Sequence, residues 1–350
     1  MPPRDIVQEL QRLGFRHISS PNVSDDFNYL VSHEIIRNEI SSDLAPELVD
    51  DIDSQFTYGS WESLRTCLYE KSGGALKDLR VFYSGAFAAQ QDRFQKWLAV
   101  FARNARTYLA QRLHEANCIG VTGGRTVKAL IQAQAEFVNS DCNRSVELVP
   151  LSGEPPIQSK YSATAVAEEL SMKLKGAAVD VRSLKGLPHA PEDRETVSRW
   201  PAYKEIFSPE RLCKRPLDML LTGAGCFHQW RIWGTGSGGV KLSDFTLRKA
   251  GAVGEVGLTL VPRSGLSSKT QKEFDERAAH GTSISLESIR RLSRDAVVKK
   301  SIPGVCLAVL GSNKLDITKA LLLEQKCVNI LMTDIELALA LEKALGCRPS

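Results

Sequence analysis

The chain contains 350 residues, 43% of them hydrophobic and 25% charged, which suits two domains or one large α/β domain with an N-terminal addition. Its net charge of +4 is too small to mark a polyanion binder by bulk attraction, yet residues 1–60 hold 4 Lys and Arg against 11 Asp and Glu, so that segment repels phosphates. Eight cysteines, at 67, 118, 142, 213, 226, 306, 327 and 347, form no Cys-x-x-Cys pair, and no apolar stretch approaches the roughly 18 residues of a membrane span; a zinc module and a membrane protein are excluded, and a reducing cytoplasm is the expected location.

In chain order, residues 3–14 suit a short helix ending at Gly14, 26–40 a second one, and 43–53 an acidic stretch around Pro46. These place an acidic N-terminal segment at 1–60 and the main domain at 61–350. Residues 79–83 read as a strand, and 91–115 as one long amphipathic helix with Phe94, Leu98, Phe101, Ala105, Tyr108 and Leu109 on one face. There follow a short apolar run from Cys118, helix 126–138, strand 145–151, helix 161–175 and strand 177–182. A buried strand at 218–222 ends in Gly223-Ala224-Gly225, and a loop rich in Trp and Gly spans 230–239. The glycine block 251–257 precedes apolar 258–261, and 265–282 is polar. A short helix at 284–292, strand 304–310, helix 315–325, strand 328–332 and helix 334–345 complete the chain. Strands and helices alternating at these lengths predict an α/β fold, a mostly parallel sheet with helices on both faces, plus a small N-terminal helical segment. Ligands bind such sheets where the strands end.

The most informative strand end is Cys118-Ile119-Gly120-Val121-Thr122-Gly123-Gly124-Arg125-Thr126-Val127. Adjacent glycines leave room for a ligand's oxygens beside the backbone, Thr126 is placed to cap the next helix, and a helix start attracts anions. The same glycines also suit a packed corner with Arg125 in solvent.

These residues resemble the sugar-binding effector domain of the SorC-type bacterial transcription regulators. Ile119-Gly120-Val121-Thr122-Gly123-Gly124-Arg125-Thr126 is similar to that family's Ile-Gly-Val-Gly-x-Gly-Arg-Thr phosphate loop, with Thr122 where the family has glycine. Gly251-Ala252-Val253-Gly254-Glu255 resembles its Gly-Ala-Val-Gly-Asp block, residues 310–314 its late turn ending in lysine, and residues 329–334 its Asn-x-Leu-x-Thr-Asp block. The resemblance implies a Rossmann-like, doubly wound fold shared with sugar-phosphate isomerases, a sugar or sugar-phosphate ligand, no reaction, no cofactor, and assembly as a homo-oligomeric dimer or tetramer. It also implies DNA as a partner through an N-terminal helix-turn-helix. Here the chain departs from the pattern, because residues 1–60 show no pair of helices with a basic second member and their charge opposes DNA phosphates.

The expected ligand residues are Thr122, Gly123, Gly124, Arg125 and Thr126 at the first strand end, and Ser152, Gly153, Glu154, Gly223 and Gly225 at two others. Glu255 would accept from sugar hydroxyls and Lys314 would neutralise a phosphate, unless the two form an ordinary ion pair. Gly234-Thr235-Gly236-Ser237-Gly238-Gly239 satisfies G-x-G-x-x-G but leads into no clear helix, so it is read as a lid rather than a dinucleotide site. His228 follows Gly223-Ala224-Gly225 as in sugar-phosphate deaminases, but Cys226 and Phe227 stand where those enzymes need an acid. A sugar-sensing regulator is therefore expected, with a sugar-phosphate isomerase or hydrolase, or an interaction module, as the alternatives.

Overall fold

The structure is a computed structural model and describes residues 61–82, 84, 91–134, 144–154, 160–174, 177–182, 194–207, 216–226, 251–270, 272 and 282–347. The expected N-terminal segment, the loop at 230–239 and His228 lie outside these residues.

The elements are α1 (Glu62–Lys71), β1 (Asp78–Phe82), α2 (Gln91–Asn104), α3 (Arg106–His114), β2 (Cys118–Val121), α4 (Arg125–Ala133), β3 (Ser145–Pro150), α5 (Ala163–Lys173), β4 (Ala178–Val181), α6 (Arg194–Ser198), α7 (Pro201–Phe207) and β5 (Met219–Thr222). They continue as β6 (Ala224–Gly225), β7 (Ala252–Val256), β8 (Thr259–Pro262), α8 (Leu286–Lys299), β9 (Gly304–Val309), α9 (Leu315–Lys319), β10 (Ile330–Asp334) and α10 (Ile335–Leu345). Seven strands form one sheet in the order β1-β10-β9-β5-β2-β3-β4, and every neighbouring pair is parallel.

Strand composition follows position. Four of the five inner strands, β2, β5, β9 and β10, are buried at every residue, as befits strands covered on both faces, whereas the edge strand β4 alternates between exposed and half-buried positions. Alternate side chains feed two cores. Leu79, Val81, Leu220, Val305, Leu307 and Leu331 pack with α1, α8 and α10 through Leu64, Leu68, Ile289, Leu292, Leu337 and Leu341. Phe82, Ile119, Val121, Met219, Leu221 and Met332 pack on the opposite face with α2 to α5 through Phe101, Leu109, Leu130, Ile131 and Leu170. Each fully buried Leu or Ile contributes about 1.5–3 kcal/mol. Gly120 interrupts β2 because Leu151 and Leu217 fill the space a side chain would need.

Several expected boundaries move for local reasons. The single helix expected over 91–115 is divided at Ala105 into α2 and α3. The helix expected over 284–292 runs on to Lys299, because Ser285 caps its start and apolar Ile289, Leu292 and Ala296 continue its buried face. The helix expected over 315–325 stays α-helical only to Lys319, then widens into one π turn, residues Ala320–Glu324. Residues 251–262 form the antiparallel hairpin β7–β8, which pairs with β6 as a separate small sheet.

The chain winds outward from β2 through β3 to β4, then returns to β5 on the other side of β2. That reversal makes the carboxyl ends of β2 and β5 a topological switch point, the place where sheets of this kind form a ligand crevice.

Candidate functional site

Thr122 and Thr222 stand at these two strand ends. Their hydroxyls are 2.9 Å apart and both side chains are buried, so the residue replacing the family glycine joins the two central strand ends. Its methyl also packs where Gly257 lacks a side chain.

Beyond Thr122 the chain turns into α4. Gly123 approaches the backbone of Tyr161 and Ala163 so closely that a Cβ would lie 2.6 Å from the Tyr161 carbonyl oxygen, and the Gly124 N–H donates to that carbonyl at 2.8 Å. Gly124, at φ 133° and ψ 156°, holds a conformation essentially reserved for glycine, and among the described residues nothing beyond its chain neighbours lies within 4 Å of where its Cβ would be. Gly124 rather than Thr126 occupies the cap position, and Thr126 is the second helical residue; the cap expected from the sequence is corrected by one turn of backbone that only glycine can adopt. Among the described residues, nothing accepts from the N–H groups of Arg125, Thr126 and Val127. These donors and the helix dipole give the turn an affinity for anions.

Arg125 stacks on the Phe94 ring of α2, its guanidinium carbon 4.7 Å from the ring centre. From the far side of the crevice comes Lys314, in the single 3₁₀ turn after β9, only 7% exposed. Burial holds its pKa below the ordinary lysine value; the Cys226 thiol and the Glu255 carboxylate beside it pull the other way, and Arg125 adds to the depression. Arg125, Lys314 and Glu255, separated by up to 189 residues of sequence, therefore share one electrostatic neighbourhood.

Glu255 arrives by the β6–β7 pairing, which sets it opposite Gly225. Its side chain lies across Gly225, where a Cβ would fall 2.5 Å from Oε1, and Gly254 lets the two backbones close up. Gly225 is thus required by Glu255, whereas Gly223 meets only ordinary contacts. Ser152, Gly153 and Glu154 sit three strands from Lys314, at the end of β3. Ser152 bridges to Ser283, the Gly153 N–H donates to the Thr282 carbonyl at 2.7 Å, and Glu154 accepts from Ser162 at 3.1 Å. With strands about 4.8 Å apart, β3 ends about 14 Å from β9, while it is the direct neighbour of β2, and Ser162, which holds Glu154, abuts Gly123.

Two supporting residues carried no functional expectation. Asp334, fully buried at the end of β10, accepts from the N–H of Gly311 at 3.0 Å, from that of Leu337 at 3.2 Å and from Ser84 Oγ at 3.4 Å. It therefore caps α10 and fixes the loop that carries Lys314; an Asp directly before an apolar helix is the sequence signal for the first role. Burial, partly opposed by these N–H donors, raises its pKa above the usual aspartate value. Asn313 turns its amide toward Cys226 at 3.9 Å. Among the described residues no group of His, Cys, Asp and Glu is arranged for a metal ion, and no helix is long and apolar enough to cross a membrane.

Residues 77–259 match the family model described as "Putative sugar-binding domain". No curated protein sequence matches the chain. The chain is similar to the solved structure of the full-length sorbitol operon regulator SorC from Klebsiella pneumoniae, at 19% identity and a TM-score of 0.60, over 99% of this chain and 94% of that one. It is also similar to a DeoR family transcriptional regulator from Listeria monocytogenes, at 19% identity and a TM-score of 0.57, over 79% of this chain and 98% of that one. A transcriptional regulator from Streptococcus pneumoniae TIGR4 gives 20% identity and a TM-score of 0.59, over 81% and 97%. The structural likenesses establish the shared α/β fold, and the sequence match spans β1 to the start of β8, including the glycine turn and Glu255; the chain belongs to the sugar-binding domain family.

Proposed function

We propose that the crevice between β2 and β5 binds a phosphorylated sugar and that the protein is a ligand-sensing regulator. The observation that carries this reading is the convergence on a single strand-end crevice of two cations, one carboxylate and three helix N–H groups that meet no acceptor among the described residues. In it the phosphate sits before the first turn of α4, between Arg125 and Lys314, and Glu255 accepts from a sugar hydroxyl. Phe94 holds the Arg125 guanidinium in place.

The relatives in the structural comparison are transcriptional regulators, which supports a regulatory rather than a catalytic role, and the reading includes no chemical step. Sensing requires that the ligand bind one state of an oligomer more tightly than another. The acidic residues 1–60 repel DNA phosphates, so the response is assigned to a cytoplasmic dimer or tetramer and its partners rather than to DNA capture by that segment.

The Arg125→Ala variant tests the assignment. Losing a charge-assisted contact worth about 1.5–3 kcal/mol weakens phosphorylated sugars about 10- to 100-fold, while the parent neutral sugars change little. Calorimetric titration of both ligands checks this, and equal losses would remove Arg125 from the phosphate.

A further inference from the structure

Among the described residues, Cys118, Cys226, Cys306 and Cys327 are buried, whereas Cys67 and Cys347 are partly open to solvent. Cys67 lies in the first described helix and Cys347 is the last described residue, yet the structure sets the two thiols side by side. Cys67 belongs to α1, whose Leu64 and Leu68 share one core with Leu337 and Leu341 of α10. Helix α10 ends at Gly346, whose left-handed φ of 66° turns the backbone so that the Cys347 N–H donates to the Glu342 carbonyl at 3.2 Å. Cys347 is held there, packs against the same core and hydrogen-bonds to the Cys67 side chain. Burial, that hydrogen bond, the charge of a Cys67 thiolate and Glu342 push the Cys347 thiol up to about 12, with Lys71 of α1 pulling the other way. A hydrogen bond that favours the protonated form is one in which Cys347 donates its S–H, so the Cys67 sulfur is the acceptor.

We propose that Cys67 and Cys347 are a redox-responsive dithiol, which a hydroperoxide closes to an intramolecular disulfide and a small thiol reopens. The Cys67 sulfur attacks the peroxide: an S–O bond forms as the O–O bond breaks, the sulfur is oxidised, and the departing oxygen takes the Cys67 proton and leaves as an alcohol, or as water from hydrogen peroxide. The Cys347 sulfur then attacks the Cys67 sulfenic acid. The S–S bond forms, the S–O bond breaks, and the hydroxide leaves with the Cys347 proton as water. Two thiols and one hydroperoxide thus give one disulfide, one alcohol and one water. In a reducing compartment such a pair stays open until oxidant arrives. The closed bond ties α1 to the end of α10, the helix at whose start Asp334 holds the Lys314 loop, and it closes a loop of nearly the whole domain, which restricts the unfolded chain. The pair does not depend on the reading of the β2–β5 crevice.

The test treats the reduced full chain with hydrogen peroxide, blocks remaining thiols with N-ethylmaleimide and maps the digest by mass spectrometry. A peptide joining Cys67 to Cys347 is expected in chains that remain uncrosslinked to one another, before oxygen adds to any of the other six cysteines, and it should disappear with dithiothreitol. The oxidised chain should unfold at higher urea than the reduced one, and Cys347→Ser should lose that gain. In Cys347→Ser, Cys67 should instead keep a sulfenic acid that dimedone captures. Absence of the joined peptide, a cross-link formed only between chains, earlier oxidation of other cysteines, or equal urea midpoints for the oxidised and reduced chain would overturn the proposal.

Discussion

Replacing Lys314 with Met is expected to remove about 10- to 100-fold of the affinity for a phosphorylated sugar while leaving the protein at least as stable as before. The first half follows from the loss of a charge-assisted contact in a dry setting, worth about 1.5–3 kcal/mol. The second follows from the direction of the Lys314 pKa. Burial lowers it in the folded chain, so the unfolded chain holds that proton more tightly. The cost of the buried ammonium is therefore fully present below the folded pKa and is relieved as pH rises from there toward 10.5. At neutral pH the folded protein bears that cost, and methionine, similar in length and uncharged, abolishes it. A residue whose removal weakens binding without weakening the fold is one retained for its ligand. Urea unfolding and titration on the same preparation check both halves, and a marked drop in stability would make Lys314 a structural residue instead.

Asp334→Ala is expected to cost about 3 kcal/mol and to weaken ligand binding as well, although Asp334 touches no ligand in this account. Removing the carboxylate leaves the buried N–H groups of Gly311 and Leu337 without acceptors, each worth about 1–3 kcal/mol, and frees the turn that aims Lys314. Asp334→Asn keeps an oxygen acceptor and should remain within about 1 kcal/mol of the wild type. The two proteins should differ in pH dependence. Because the folded pKa of Asp334 lies above its ordinary value of 3.8, the native carboxyl binds its proton more tightly than the unfolded one, and its contribution to stability falls as pH rises through that interval. The stability difference between the Asn variant and the wild type should therefore shift toward the variant as pH rises from 3.8 through the native pKa. Denaturant midpoints across that interval read the shift directly; an opposite slope would show that the carboxylate is held in its ionised form.

The sheet was legible from sequence because its strands are short apolar runs of the kind only a doubly covered parallel strand sustains, as at 304–310 and 328–332. Boundaries were less legible where two signals compete. Apolar periodicity continues through Ala105, yet the backbone divides there, and the apolar run 258–261 gave no sign that it would hairpin onto the glycine block. At the crevice, the glycine turn, Lys314 and Glu255 could be picked out one by one from glycine and charge at strand ends. Their convergence could not, because it depends on the β6–β7 pairing that lays Glu255 over Gly225. Thr122 illustrates the same limit: it was expected among the ligand residues of its strand end, and its contact with the Thr222 hydroxyl, one strand away, depends on the pairing of β2 with β5. Asp334 was hidden for the opposite reason, since a cap is a local signal while its hold on Gly311 is a contact across 23 residues.

The most direct test of the central claim is calorimetric titration of the full chain with sugar phosphates and their unphosphorylated parents. The phosphorylated member of each pair should bind at least tenfold more tightly, and its advantage should fall as pH rises through the depressed pKa of Lys314, where the ammonium loses its charge. Equal affinity for both members would contradict the assignment of the β2–β5 crevice to a phosphorylated sugar.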